Sequence, residues 1–193
     1  SRRSLNDITK SWLYKPLGMN STFYRPEKEL LSRIVPTEFD SLYRRKLVHG
    51  VVHDENTYLI GCISSHAGLF STAENLANYA QMLINNGTWL GKRIFKESII
   101  REFTTRQNLP EDSDYALGWD TPSQNGKSSA GDYFSNSSFG HLGFTGTSIW
   151  IDPNSAIIII LLTNRVHPTR ERGGMYDIRR EFHNVIMEQL LKE

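Results

Sequence analysis

Gly140-His141-Leu142-Gly143-Phe144-Thr145-Gly146 runs into Thr147-Ser148-Ile149-Trp150-Ile151-Asp152-Pro153 and then into Ala156-Ile157-Ile158-Ile159-Ile160-Leu161-Leu162-Thr163-Asn164. The two apolar, β-branched runs predict strands over residues 147–152 and 156–163. Asp152-Pro153-Asn154-Ser155 between them has the composition of a tight turn, so the strands pair as a hairpin. Ahead of them, a histidine between glycines puts a titratable ring beside accessible backbone. Chemistry on a carbonyl needs that combination, a proton-handling side chain and N–H groups aimed at one oxygen. A histidine placed only to suit the turn is the alternative reading.

Helical patterns surround this core. Ser4 with Asp7 resembles a capping box, and Leu5, Ile8, Trp12 and Leu13 recur at helical spacing, which predicts a helix over residues 4–15 that ends before Pro16 and Gly18. Residues 19–56 show no period and predict a long irregular excursion, a feature that often shapes a site. Ser71-Thr72-Ala73-Glu74 predicts a Ser71-capped helix stopped at Asn86-Gly87. A short helix is expected over 96–104, burying Ile99, Ile100 and Phe103. Tyr115-Ala116-Leu117-Gly118-Trp119 alternates as a strand would. Residues 121–138, rich in Ser, Gly, Asn and Gln, predict an exposed mobile loop. A closing helix over 176–192 should bury Ile178, Phe182, Val185, Ile186 and Leu190. Helices first, then an antiparallel sheet, then a helix give an α+β class, an antiparallel sheet flanked by helices.

Composition narrows the function. The 193 residues carry 22 basic and 21 acidic side chains, a net charge of +1, which argues against nucleic acid or an anionic membrane as the main partner. With Cys62 the sole cysteine, no internal disulfide can form. The longest apolar run, Ala156 to Leu162, is too short to span a bilayer. The opening Ser1-Arg2-Arg3-Ser4-Leu5 has neither an initiator methionine nor an apolar signal region, so the expectation is a piece of a longer polypeptide.

His141-Leu142-Gly143 with Phe144-Thr145-Gly146 resembles the third motif of the serine β-lactamase-like hydrolases, which include class C β-lactamases, DD-peptidases (penicillin-binding proteins) and related esterases. Tyr14-Lys15-Pro16-Leu17-Gly18-Met19, Ser65-His66-Ala67-Gly68-Leu69-Phe70-Ser71-Thr72-Ala73-Glu74-Asn75-Leu76, Tyr115-Ala116-Leu117-Gly118-Trp119 and Leu162-Thr163-Asn164 agree, in family order along nearly the whole chain. The resemblance implies an incomplete β-lactamase/transpeptidase-like fold, with residues 1–193 forming the C-terminal portion of one domain. It gives His141 a role in proton transfer and substrate holding, makes the Phe144 backbone N–H an oxyanion donor, and places Gly143, Thr145 and Gly146 against the substrate. Val52-His53-Asp54-Glu55-Asn56 is similar to a cleft-lining loop of one subgroup, so Asp54 and Asn56 are candidate substrate contacts; helix capping by Asp54 is the competing reading. Arg165 is a candidate for a substrate carboxylate, or a solvated strand-end arginine. The family's Ser-x-x-Lys nucleophile motif and its Tyr-x-Asn motif occur nowhere in these 193 residues.

The expected function is therefore the C-terminal part of a serine hydrolase that cleaves amides or esters through an acyl-serine, inactive alone, with a small-molecule or peptide acyl substrate and a periplasmic or cell-envelope location by analogy. A non-catalytic module binding cell-wall peptide or protein is the alternative. No cofactor and no metal are expected. His49 and His53, four apart, suggest zinc only on a helix, and Gly50, Val51 and Val52 disfavour one. Without the family's N-terminal part the sheet should expose a strand edge and an apolar patch, which predicts self-association or disorder near residues 20–56 and 121–138. Gel filtration should show species larger than a monomer, and activated esters should leave the chain unlabelled.

Overall fold

Residues that alternate or cluster by bulk set the strands, and capping side chains set the helices. The computed structural model describes residues 3–124 and 126–192. It contains two compact units, Ser1–Asn78 with Thr163–Arg172, and Tyr79–Leu162 with Gly173–Glu193.

In the first unit, α1 spans Leu5–Thr9 and continues as one wide helical turn over Lys10–Tyr14. The Ser4 hydroxyl accepts the Asp7 N–H at 3.2 Å, the cap expected from sequence. The segment read as irregular holds short regular pieces: β1 (Phe23–Tyr24), a 3₁₀ turn over Lys28–Arg33, and the hairpin of β2 (Phe39–Asp40) with β3 (Lys46–Leu47). After α2 (Glu55–Leu59), β4 (Leu69–Phe70) pairs antiparallel with β1. Tyr14, Leu17, Met19, Val48, Val52 and Val166 form the buried apolar set of this unit.

A buried charge network lies beside them. The His53 ring donates to Glu38 at 2.7 Å, and Arg170 bonds both Glu38 oxygens and Glu55. Arg44 likewise pairs with buried Asp40 at 2.6 Å. Burial alone would raise the Glu38 carboxyl, but hydrogen bonds from Arg170 and His53 outweigh it and bring the pKa down to about 2.

Helix α3 (Ala73–Ile84) begins one residue later than its sequence signature suggested. Thr72, not Ser71, caps it by accepting the Asn75 N–H at 3.3 Å, while the Ser71 hydroxyl lies 2.7 Å from that of Thr22. Asn86 and Gly87 adopt positive φ and end the helix. The hairpin β5 (Thr88–Trp89) with β6 (Lys92–Arg93) and α4 (Glu97–Thr104) follow. Of the three residues expected to be buried on α4, only Ile100 is; Ile99 and Phe103 stay exposed. Tyr115–Trp119 is not a strand: Gly118 takes a positive φ, and the Ala116 N–H bonds the Trp119 carbonyl at 2.8 Å, folding the segment into a tight loop.

The main sheet has the order β7-β8-β9, from β7 (Phe139–Leu142), β8 (Ser148–Asp152) and β9 (Ile157–Leu161), all antiparallel. The predicted hairpin is β8–β9, with Trp150 opposite Ile159. Trp150, Ile159, Ala130, Phe134 and Met187 form its core, with Phe182 and Ile186 packed against it. Ala130 and Phe134 belong to the stretch expected to be a mobile loop, of which Asn125 lies outside the described residues. That stretch is folded: Phe134 is in the core, and the Ser135 N–H and hydroxyl bond Asp152 at 3.1 and 2.7 Å. Polar composition hid two anchors.

Helix α5 (Met175–Leu190) buries only part of the predicted face, Phe182 and Ile186, which pack against the core. Met175, Arg179, His183 and Met187, four residues apart, form the inner stripe, while Ile178, Val185 and Leu190 are exposed. The polar pair fits because each ring or guanidinium finds carbonyls inside. The His183 Nδ1–H donates to the Ser129 carbonyl at 2.8 Å, and its Nε2 lies 3.3 Å from the Ser148 hydroxyl.

Burial depresses the His183 pKa, the Ser129 bond offsets part of this, and the Arg179 charge adds to the depression. The folded state thus resists a proton that the unfolded chain accepts from about pH 6.5 downward. Glu38 acts in a lower window: its contribution is intact above its unfolded value of 4.5 and is lost as pH falls toward 2. Denaturant midpoints should hold steady above pH 7, begin to fall as pH drops below about 6.5, and fall further below about 4.5. His183→Gln should flatten only the first step. A wild-type midpoint level from pH 7 to 5 would refute the buried neutral ring.

Candidate functional site

Gly140 sits opposite Trp150 across β7–β8, and a Cβ there would collide with the indole and with the Ile149 carbonyl. Only glycine lets β7 pass over this side chain. Side chains alternate along a strand, so the next residue faces the other way. His141 is accordingly exposed, not packed inside. Its Nδ1 lies 2.8 Å from the Leu142 carbonyl, which can only accept, so Nδ1 carries the hydrogen. The neutral ring then presents its lone pair on Nε2. That is the tautomer a proton acceptor requires.

The strand leads into a closed turn. The Gly143 N–H donates to the Thr147 carbonyl at 2.8 Å, and the Gly146 N–H to the Gly143 carbonyl at 3.0 Å. Gly143 is required, because a Cβ would run into the Thr147 hydroxyl, and Gly146 holds φ +116°. Phe144, exposed, and Thr145 occupy the tip. All five residues predicted in this motif, His141, Gly143, Phe144, Thr145 and Gly146, thus share one strand end and its turn.

Two neighbours escaped the sequence reading. Asp120 exchanges backbone hydrogen bonds with Gly140, N–H to carbonyl at 2.8 Å and carbonyl to N–H at 2.9 Å, on the side of β7 away from β8. Burial raises the Asp120 carboxyl, and a proton on the nearby His141 ring would oppose that rise. Arg179, buried on α5, donates through Nη2 to the Gly143 carbonyl at 2.7 Å and to the Thr147 carbonyl at 2.8 Å. The spacing of Arg179 from Met175, His183 and Met187 was its only signal in the sequence.

The remaining candidates lie in the first unit. Asp54 caps α2, accepting the Thr57 N–H at 2.7 Å, and this bond leads the causes that lower its carboxyl. The same oxygen lies 3.3 Å from His66 Nε2, while His66 Nδ1 is 2.7 Å from the Ser64 hydroxyl. The carboxylate is committed to the cap, so this exposed chain of bonds serves the local turn. Asn56 is exposed on α2. Arg165 donates to the Arg170 and Arg172 carbonyls at 3.3 and 3.1 Å, within its own loop. Gly50 takes φ +65° and breaks any helix through His49 and His53. His49 Nε2 is held by the Leu31 and Ile34 carbonyls at 3.0 and 2.8 Å, and His53 by Glu38. Among the described residues, no three His, Cys, Asp or Glu side chains group as metal ligands. Trp119 packs between Tyr79 and Phe139 at ring separations of 6.3 and 5.2 Å, so it supports β7. Cys62 is half-exposed. A groove of about 370 Å³ over α5, touching Tyr133, Asp177, Arg180 and Glu188, does not include His141.

Known proteins resemble this chain. The chain is 34% identical over 180 residues to a protein of Salmonella gallinarum provisionally named D-alanyl-D-alanine carboxypeptidase, covering 84% of this chain and 40% of that one. It spans about 40% of the length of the curated relatives it matches. Among solved structures, a β-lactamase from Mycobacterium bovis superposes with a TM-score of 0.62 at 19% identity, over 96% of this chain and 56% of that one. A penicillin-binding protein homologue from Caulobacter crescentus gives 0.61 at 15%, over 96% and 53%. Simvastatin synthase from Aspergillus terreus gives 0.64 at 14%, over 96% and 50%. These likenesses show the β-lactamase/penicillin-binding-protein fold. The family's sequence profile matches residues 1–184; with the glycine-flanked histidine and its turn in place, the chain belongs to the Beta-lactamase family.

Proposed function

We propose that this chain supplies one wall of a serine acyl-transfer site, and that the nucleophile comes from a Ser-x-x-Lys segment outside these 193 residues. One observation carries the reading: an exposed imidazole with Nδ1–H engaged and Nε2 open, one residue from a closed glycine turn. The serine attacks the carbonyl carbon of an amide or ester and loses its proton to the lysine of its own motif. The carbonyl oxygen takes up negative charge. The Phe144 N–H donates to it from this side. His141 Nε2 takes part in passing the proton to the leaving group. Water then releases the acyl group.

Within this reading the substrate is a peptide ending in D-Ala-D-Ala, the chemistry named for the Salmonella relative, cleaved in the cell envelope. Gly143, Thr145 and Gly146 face the acyl chain.

The test uses a polypeptide that joins this chain to its Ser-x-x-Lys segment. A labelled β-lactam or activated ester should acylate it, and changing the motif serine to alanine should abolish labelling. His141→Gln should slow acylation by about 10²-fold. Labelling that survives the serine change refutes the reading, and an unchanged rate in His141→Gln refutes the role of the ring.

A further inference from the structure

We propose that Arg179 is a positioning residue that aims and polarises the Gly143–Phe144 peptide, making the Phe144 N–H a directed donor to the acyl oxygen; this deepens the function proposed above and rests on it. The argument starts from cost. A guanidinium on the inner stripe of α5 is taken out of water, which is unfavourable unless its donors are engaged. Its neighbours on that stripe are Met175, one turn before, and His183, one turn after, so the guanidinium has no carboxylate beside it on the helix. The arginine instead sends Nη2 to two carbonyls of one turn, Gly143 at 2.7 Å and Thr147 at 2.8 Å.

The Gly143 carbonyl belongs to the same peptide unit as the Phe144 N–H. That unit is trans, since the cis bonds are Leu109–Pro110 and His167–Pro168. In a planar trans peptide the C=O and N–H vectors oppose each other. Drawing the oxygen inward to buried Arg179 therefore turns the Phe144 N–H outward, away from α5. Charge acts in the same direction. A cation bonded to the oxygen draws electron density from the nitrogen, so the N–H becomes a stronger donor. The Gly146 N–H, bonded to the same oxygen at 3.0 Å, adds to both effects. The Thr147 bond holds the far end of the turn, where the Gly143 N–H also docks at 2.8 Å.

Two measurements test this. In the 193-residue chain labelled with ¹⁵N and ¹³C, a scalar coupling across the hydrogen bond should link Arg179 Nη2 to the Gly143 carbonyl carbon. Its absence overturns the proposal, and no variant is needed to see it. Arg179→Met should move the Phe144 amide proton upfield, and Arg179→Lys should move it less. In the polypeptide that carries the motif serine, Arg179→Met should lower kcat for ester acylation at least about tenfold while KM stays within about twofold, because a transition-state donor is weakened. Rates on oxo-esters should fall more than on thiono-esters, which depend less on N–H donors. Arg179→Lys should recover part of the loss. Wild-type kcat in Arg179→Met, or equal losses on both ester types, overturns the proposal. Acylation independent of the motif serine refutes the proposed function instead, and the coupling and amide shift still report on Arg179. If Arg179→Met does not fold, the wild-type coupling and Arg179→Lys decide.

Discussion

The indole of Trp150 occupies the space that a side chain on Gly140 would need. That contact sets the relation of β7 to β8, and the rest of the site follows from it. With Gly140 facing the core, strand alternation turns His141 outward, and the chain enters its turn in a defined orientation. Trp150 also joins the β8–β9 hairpin to α5 through Ile159 and Met187. The helix that completes the core is thus the one that brings Arg179 to the turn.

Buried polar groups organise both units where apolar packing alone would leave a choice of register. In the second unit, His183 reaches Ser129 and Ser148, and Arg179 reaches the turn carbonyls. In the first, Glu38 gathers Arg170 and His53, and so ties the segment after β9 to the loops around the β2–β3 hairpin. Each such group would be costly if its partners were missing, so each strongly disfavours a shifted arrangement.

Membership of the Beta-lactamase family gives the fold, and fold does not decide chemistry. The solved relatives range from a β-lactamase and a penicillin-binding protein homologue to simvastatin synthase, on one architecture. What separates such proteins lies in the side chains around the acyl group. This chain covers about 40% of the curated relatives it matches.

The amino-acid sequence by itself determined the parts whose causes are local. The β8–β9 hairpin follows from β-branched runs around Asp152-Pro153-Asn154-Ser155, α3 from a capping hydroxyl and its Asn86-Gly87 stop, and the His141 motif from its glycines. Tertiary structure decided the parts whose causes lie far along the chain. Ile178, Val185 and Leu190 have the hydrophobicity of an inner face, yet Arg179 and His183 take it, because carbonyls at 129, 143 and 147 wait there. Tyr115–Trp119 alternates like a strand but turns at Gly118, so that Asp120 can bond Gly140. The stretch from 121 to 138 looks solvated, yet Phe134 and Ser135 anchor it to Trp150 and Asp152. Hydrophobic patterns record what a residue prefers on average. Whether a polar side chain can be buried depends on a partner that only the folded chain brings within reach.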